Sequence, residues 1–181
     1  MFNDKMVTPA IPERVYALCK IVEKRPISQS ELKDKMEPDF LNQSSSYFSD
    51  YKNAAEELKL ISISDNMVTL AVEPSVIKTT ASMRQYINGM LEEFHSGQFY
   101  QVTKAYFELN SGMLSGEKNV ASLAPMLSQK INRPRDAMAM RAWRFWVSYL
   151  GFGYMQDMFM IPNADVFLRD VITNAGFEKG R

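Results

Sequence analysis

A chain of 181 residues has room for one large domain or two of about 80 to 90 residues, and two such units would still bury workable cores. With 46% hydrophobic and 23% charged residues, it lies outside the low-hydrophobicity, high-charge regime of disordered chains. Its 21 basic residues balance its 21 acidic ones, which excludes a general attraction to nucleic acid and confines any phosphate-binding surface to a local patch.

After a polar start, Pro12 suits the first turn of a helix, and Val15, Leu18, Cys19 and Val22 recur on one face as far as Arg25-Pro26. Cys19, the single cysteine, is expected as a buried free thiol rather than a nucleophile, which suits a reducing cytoplasm. Ser28-Gln29-Ser30-Glu31 reads as a capping box, flanked by Ile27 and Leu32 as a hydrophobic staple, and opens a short second helix that Glu37-Pro38 ends.

A third helix is expected to begin among Asn42-Gln43-Ser44-Ser45, with Phe48, Tyr51, Ala55 and Leu58 as its buried stripe. Ser45, Ser49, Lys52 and Asn53 are left on its outer face. Ile61, Ile63, Val68, Leu70 and Val72 then alternate around Asp65-Asn66, predicting a hairpin.

The order helix, helix, helix, hairpin over residues 11 to 74 resembles the winged helix-turn-helix superfamily, most closely in SSSYFSDYKNAAEELKLISISDNMVTLAV. That resemblance implies a DNA surface at Ser45, Ser49, Lys52 and Asn53, although many members of the superfamily bind only proteins.

Beyond residue 80, Met83–Phe94 and Phe99–Leu109 read as helices separated by Ser96-Gly97, followed by a loop over Ser111–Asn119. Sliding the chain by 92 residues brings Tyr51 onto Trp143, Ala55 onto Val147, Leu58 onto Leu150 and Asp65 onto Asp157 with the apolar register kept. Val120, Leu123, Ala124, Leu127 and Ile131 form a helical stripe before the turn Asn132-Arg133-Pro134, and Asp136 can cap the long helix beyond it. Gly151 suits a left-handed helix end, Phe152–Ile161 a second wing about Gln156-Asp157, and Asn163–Ala175 a final helix for self-packing or a second subunit.

The expected fold class is therefore mainly α with short β-hairpins (α+β), as two winged helix-turn-helix units in tandem: residues 1–80 and residues 81–181. The N-terminus lacks a continuous apolar stretch, and the apolar stretch Ala142–Ile161 is broken by Arg144, Gln156 and Asp157, so neither a leader nor a membrane span is expected and the location should be cytoplasmic.

Catalytic signatures are sparse. His95 is the only histidine and Cys19 the only cysteine, so no multi-histidine or cysteine-cluster metal site can be assembled, and no cofactor is expected. Glu56-Glu57 and Glu92-Glu93 are adjacent on helices and point apart, unlike a catalytic pair, and Gly112–Lys118 has the wrong spacing for a phosphate loop. The methionines and aromatics of Met138–Met160 read as core.

The strongest local charge is Lys130, Arg133, Arg135, Arg141 and Arg144, opposed only by Asp136: a net +4 between Lys130 and Arg144. With Ser148 these residues can line a helix and its preceding turn, where arginine suits phosphate or guanine; the alternatives are an exposed charged face or arginines laid over Phe145 and Trp146. The expected function is duplex DNA binding as a prokaryotic regulator or accessory factor, with a homodimer or larger assembly as a possible state. The competing expectation is an assembly subunit, similar to the kleisin-binding tandem winged-helix subunits of bacterial condensins, which the zero net charge favours. The opening IPERVYALCKIVEKRPISQSELKDKMEP also resembles accessory proteins of bacterial DNA-modification and phage-defence clusters.

Overall fold

Pro12 opens the first helix at a position where its missing N–H costs no hydrogen bond, and α1 (Pro12–Val22) buries Val15, Leu18, Cys19 and Val22. The computed structural model describes residues 2–3, 6–40, 46–109, 120–132, 137–156 and 159–176. These fold as two units: Pro9–Met83, and Arg84 onward together with the stretch that begins at Phe2. They are mainly helical, with two small antiparallel sheets.

In the first unit, α1 ends three residues earlier than Arg25, and Ile27–Ser28 form a short strand, β1, before α2 (Gln29–Met36). The cap expected at Ser28 is present: its Oγ accepts the Glu31 N–H at 3.2 Å. The reciprocal half of the capping box is not. The Glu31 carboxylate instead meets Arg25 at 2.6 Å and Lys35 at 3.7 Å. Ile27 and Leu32, the staple pair, are both buried.

The third helix, α3 (Phe48–Glu57), starts at Phe48; the start expected among Asn42–Ser45 lies outside the described residues, and Tyr47 is still non-helical. Its first turn is capped from a distance. The Glu37 carboxylate accepts the Tyr47 N–H at 3.0 Å and the Ser46 hydroxyl at 2.7 Å. Phe48, Tyr51 and Ala55 face the core with Leu58, as expected.

Strands β2 (Ile61–Ser64) and β3 (Met67–Leu70) pair around Asp65 and Asn66, both at positive φ (49° and 66°), the conformation a two-residue hairpin turn needs to match strand twist. β1 adds to β3, giving the sheet order β1-β3-β2. The first strand was not anticipated, since two residues carry no readable alternation. A short 3-10 helix, Pro74–Ile77, follows.

Helix α4 (Thr80–Met90) runs into the second unit, which continues with a 3-10 turn at Leu91–Phe94, α5 (Gln98–Phe107), α6 (Val120–Ile131) and α7 (Ala137–Leu150). Next come β4 (Gly153–Gln156), β5 (Phe159–Pro162) and α8 (Asp165–Asn174). β4 and β5 form the expected hairpin, with Gly153 opposite Pro162 and Gln156 opposite Phe159. The Ser111–Asn119 loop, the Arg133–Asp136 turn with its cap, and Asp157 lie outside the described residues. Asn132 ends α6 at φ 50° and Gly151 ends α7 at φ 81°, both in the left-handed region.

The core of this unit is aromatic. Trp143 and Trp146 are fully buried; the Trp143 indole donates to Thr103 Oγ1 at 3.0 Å, and Thr103 in turn donates to the Phe99 carbonyl at 2.8 Å. The Tyr106 hydroxyl donates to the Met160 carbonyl. The opening of the chain is not merely polar: Phe2 is fully buried against Phe94, Phe99 and Trp146, with ring centroids 4.9 to 5.4 Å apart. Burying such a ring is worth roughly 1.5–3 kcal/mol, which explains why this stretch groups with the second unit.

Candidate functional site

The first expected surface is the outer face of α3. Ser49 and Asn53 are exposed one turn apart, while Ser45 lies outside the described residues. Lys52 is less available than the sequence suggested. Its Nζ donates to Gln29 Oε1 at 2.8 Å, and Gln29 Nε2 donates to Asn66 Oδ1 at 3.1 Å, so the lysine belongs to a polar chain joining α3, the start of α2 and the hairpin tip. The face also carries acid: Asp50 is half-buried and Glu56 exposed.

Beneath it lies the Glu37 cap. Burial would raise this carboxyl, but hydrogen bonding from Ser46 and from the Tyr47 and Phe48 backbone outweighs burial and holds it below the usual carboxylate range. Tyr51 is pushed upward, first by burial and then by the Glu37 charge.

The second expected surface is on α7. Arg141 is exposed, and Arg144, one turn on, is half-buried with its guanidinium carbon 5.4 Å from the centroid of the Phe145 ring. Arg133 and Arg135 lie outside the described residues. Two expected members are drawn away. Lys130 pairs with the Glu108 carboxylate at 3.3 Å, and the Ser148 hydroxyl is buried rather than presented to solvent. Ser148 shares the helical spacing of the arginines, but its hydroxyl oxygen is covered. Among the described residues Arg141 and Arg144 therefore remain as the cationic pair, flanked by exposed Met138 and Phe145.

The site that sequence reasoning missed is a cavity of about 620 Å³ in the second unit, between α4, α5 and α8. Phe99, Tyr100, Phe107, Phe152 and Phe167 line it, with Glu92 and Lys104 on its exposed rim. Phe152 and Phe167 stack at 4.2 Å, and Phe107 meets Phe152 edge-on at 6.1 Å. Two polar side chains in the wall are buried, Thr103 and Asn88; Asn88 donates through Nδ2 to the Leu150 carbonyl at 3.0 Å and to Asp170 Oδ2 at 2.8 Å. Asp170 is itself buried and is held by Arg84 through Nε at 2.7 Å and Nη2 at 3.3 Å. Nothing in the local sequence around Asn88 marks it, because its partners lie 62 and 82 residues away.

Cys19, fully buried, is pushed up to about 12 by desolvation, far from a nucleophilic thiolate. Among the described residues no helix is long and apolar enough to cross a membrane, and no group of three or more His, Cys, Asp or Glu side chains could hold a metal ion. No family model, curated protein or solved structure matches this chain.

Proposed function

We propose that this chain is a tandem winged-helix protein that binds duplex DNA, serving as a prokaryotic regulator or accessory factor of a DNA-processing or defence system. The observation that carries the reading is the order of elements in the first unit, α1-β1-α2-α3-β2-β3, with the tight hairpin closing a three-stranded sheet and the polar face of α3 at Ser49 and Asn53 open to solvent. The second unit repeats three helices and a hairpin in α5, α6, α7, β4 and β5, with Arg141 and Arg144 on the helix before that hairpin.

In this reading α7 contributes phosphate contacts, and α3 contributes hydroxyl and amide groups able to meet backbone or base edges. Zero net charge and the acids on α3 make the interaction depend on these few cations, so binding is weak and its salt slope is set by the few phosphates they contact.

The test is fluorescence anisotropy of a labelled duplex titrated with the chain at several salt concentrations. Replacing Arg141 and Arg144 together by alanine weakens binding and flattens the log-log salt slope by about two units if both contact phosphates, since each contact releases roughly 0.9 counterion. The fold survives, because Arg141 is exposed and neither arginine belongs to the buried stripe. A double variant that binds as well as the parent at every salt concentration, or a parent that does not bind at low salt, overturns the reading.

The second reading, a protein-assembly subunit, is favoured by a different observation: Leu168 and Ile172, one turn apart on α8, are more than half exposed, at 52% and 56%. It takes precedence if the parent shows no duplex binding.

A further inference from the structure

We propose that the cavity between α4, α5 and α8 binds an aromatic α-amino acid, with its ring against the aromatic wall and its ammonium and carboxylate at the mouth, toward Glu92 and Lys104. The volume, about 620 Å³, lies within the range of pockets that enclose a small molecule. Tyr100, Phe107, Phe167 and Val171 line it and are only half-buried, so the folded core leaves part of their apolar surface uncovered. Phe152 and Phe167 stack at 4.2 Å with Phe107 edge-on to Phe152, which offers a flat ring both faces and edges to pack against.

The polar groups of the wall decide where the ligand's own polar end lies. The Thr103 hydroxyl donates to the Phe99 carbonyl and accepts the Trp143 indole N–H, while Asn88 donates to Leu150 and Asp170 and its Oδ1 is covered. Neither has a hydrogen bond to offer inside the cavity, so a charged group placed there would lose water without replacement. The head group therefore belongs at the mouth, where the two charged lining residues, Glu92 and Lys104, are both exposed. Tyr100, Lys104 and Phe107 follow one another at helical spacing along the face of α5 that lines the cavity, so the lysine stem can cover the wall while its ammonium stays in water. Among the described residues neither Glu92 nor Lys104 takes part in an ion pair. A purely anionic ligand would meet Glu92 and a purely cationic one Lys104, whereas a zwitterionic head group finds an opposite charge at each end. This site stands apart from duplex binding and does not depend on it.

The experiment is a titration of the full-length ¹⁵N-labelled chain at low salt, followed by two-dimensional amide NMR, with four probes that share one ring system. Tryptophan carries both charges, indole-3-propionate only the carboxylate, tryptamine only the ammonium, and 3-ethylindole neither. The expected result is saturable shifts centred on Tyr100, Phe107, Phe152 and Val171, with tryptophan binding about threefold more tightly than either singly charged probe and about tenfold more tightly than 3-ethylindole. Lys104→Gln makes tryptophan and tryptamine bind equally, and Glu92→Gln makes tryptophan and indole-3-propionate bind equally; both residues are exposed, so the fold is kept. Val171→Phe narrows the cavity from α8 and weakens all four probes, its fold checked by circular dichroism, and the two charge variants carry the test should it not fold. Tryptophan binding no more tightly than 3-ethylindole, or keeping its preference in both charge variants, overturns the role of the rim. No saturable shift with any probe, or undiminished shifts in folded Val171→Phe, overturns the site itself. A negative duplex assay leaves all these outcomes unaffected, so the two readings fail separately.

Discussion

Removing the Asp170 carboxylate should destabilise the second unit. Asp170→Ala deletes the acceptor of three hydrogen bonds, two from Arg84 and one from Asn88. Bonds to a charged partner contribute roughly 1.5–3 kcal/mol each, and breaking a buried ion pair costs about 3–5 kcal/mol. Two features lower that figure here. The Arg84 side chain is 26% exposed, so water can take over its guanidinium, and Asn88 Nδ2 keeps the Leu150 carbonyl. The expected loss is about 2–3 kcal/mol.

Trp143 and Trp146 are the only tryptophans and both belong to the second unit, so urea unfolding followed by their fluorescence reports on that unit alone. A double-mutant cycle with Arg84→Ala should return a coupling of about 1–2 kcal/mol, since the two groups are in direct contact. A loss below about 0.5 kcal/mol for Asp170→Ala, or no coupling, would refute the claim that this pair fastens α8 to α4.

Two further predictions follow from local geometry. Glu37→Gln should lower the stability of the first unit near neutral pH by about 1 kcal/mol, the scale of a helix cap, reduced because the group is only partly shielded from solvent. Since the folded carboxyl titrates below its unfolded value of about 4.3, its contribution is complete above that pH and disappears as pH falls through the folded value; parent and variant should then converge in acid unfolding once pH is below the folded value, and a difference that persists there contradicts the account. Gly151→Ala should cost about 2–4 kcal/mol in the same tryptophan-monitored unfolding, because the residue sits at φ 81° and an added Cβ would stand 2.6 Å from Val166 Cβ; a near-neutral effect would show that the α7 to β4 turn is not so confined.

The helices and hairpins were legible because their causes are local. Pro12 and Ser28 announce helix starts through groups within a few residues, the apolar stripe Phe48-Tyr51-Ala55-Leu58 has helical spacing, and Asp65-Asn66 tolerates the positive φ of a tight turn. The polar face of α3 followed from the same periodicity.

What the tertiary structure decided is where competing partners draw a side chain. Lys130 and Lys52 look free in the sequence, yet Glu108 and Gln29 take them, and the Ser148 hydroxyl oxygen is covered although its spacing put it with Arg141 and Arg144. The cap of α3 comes from Glu37, ten residues before Tyr47, and no short motif encodes that reach. Phe2 joins a core whose other rings begin at Phe94, and Asn88 becomes distinctive only when Leu150 and Asp170 fold against it. A sequence states each residue's capacity to donate, accept or bury. Which capacity is used depends on distances between remote segments, and those arise only when the core closes.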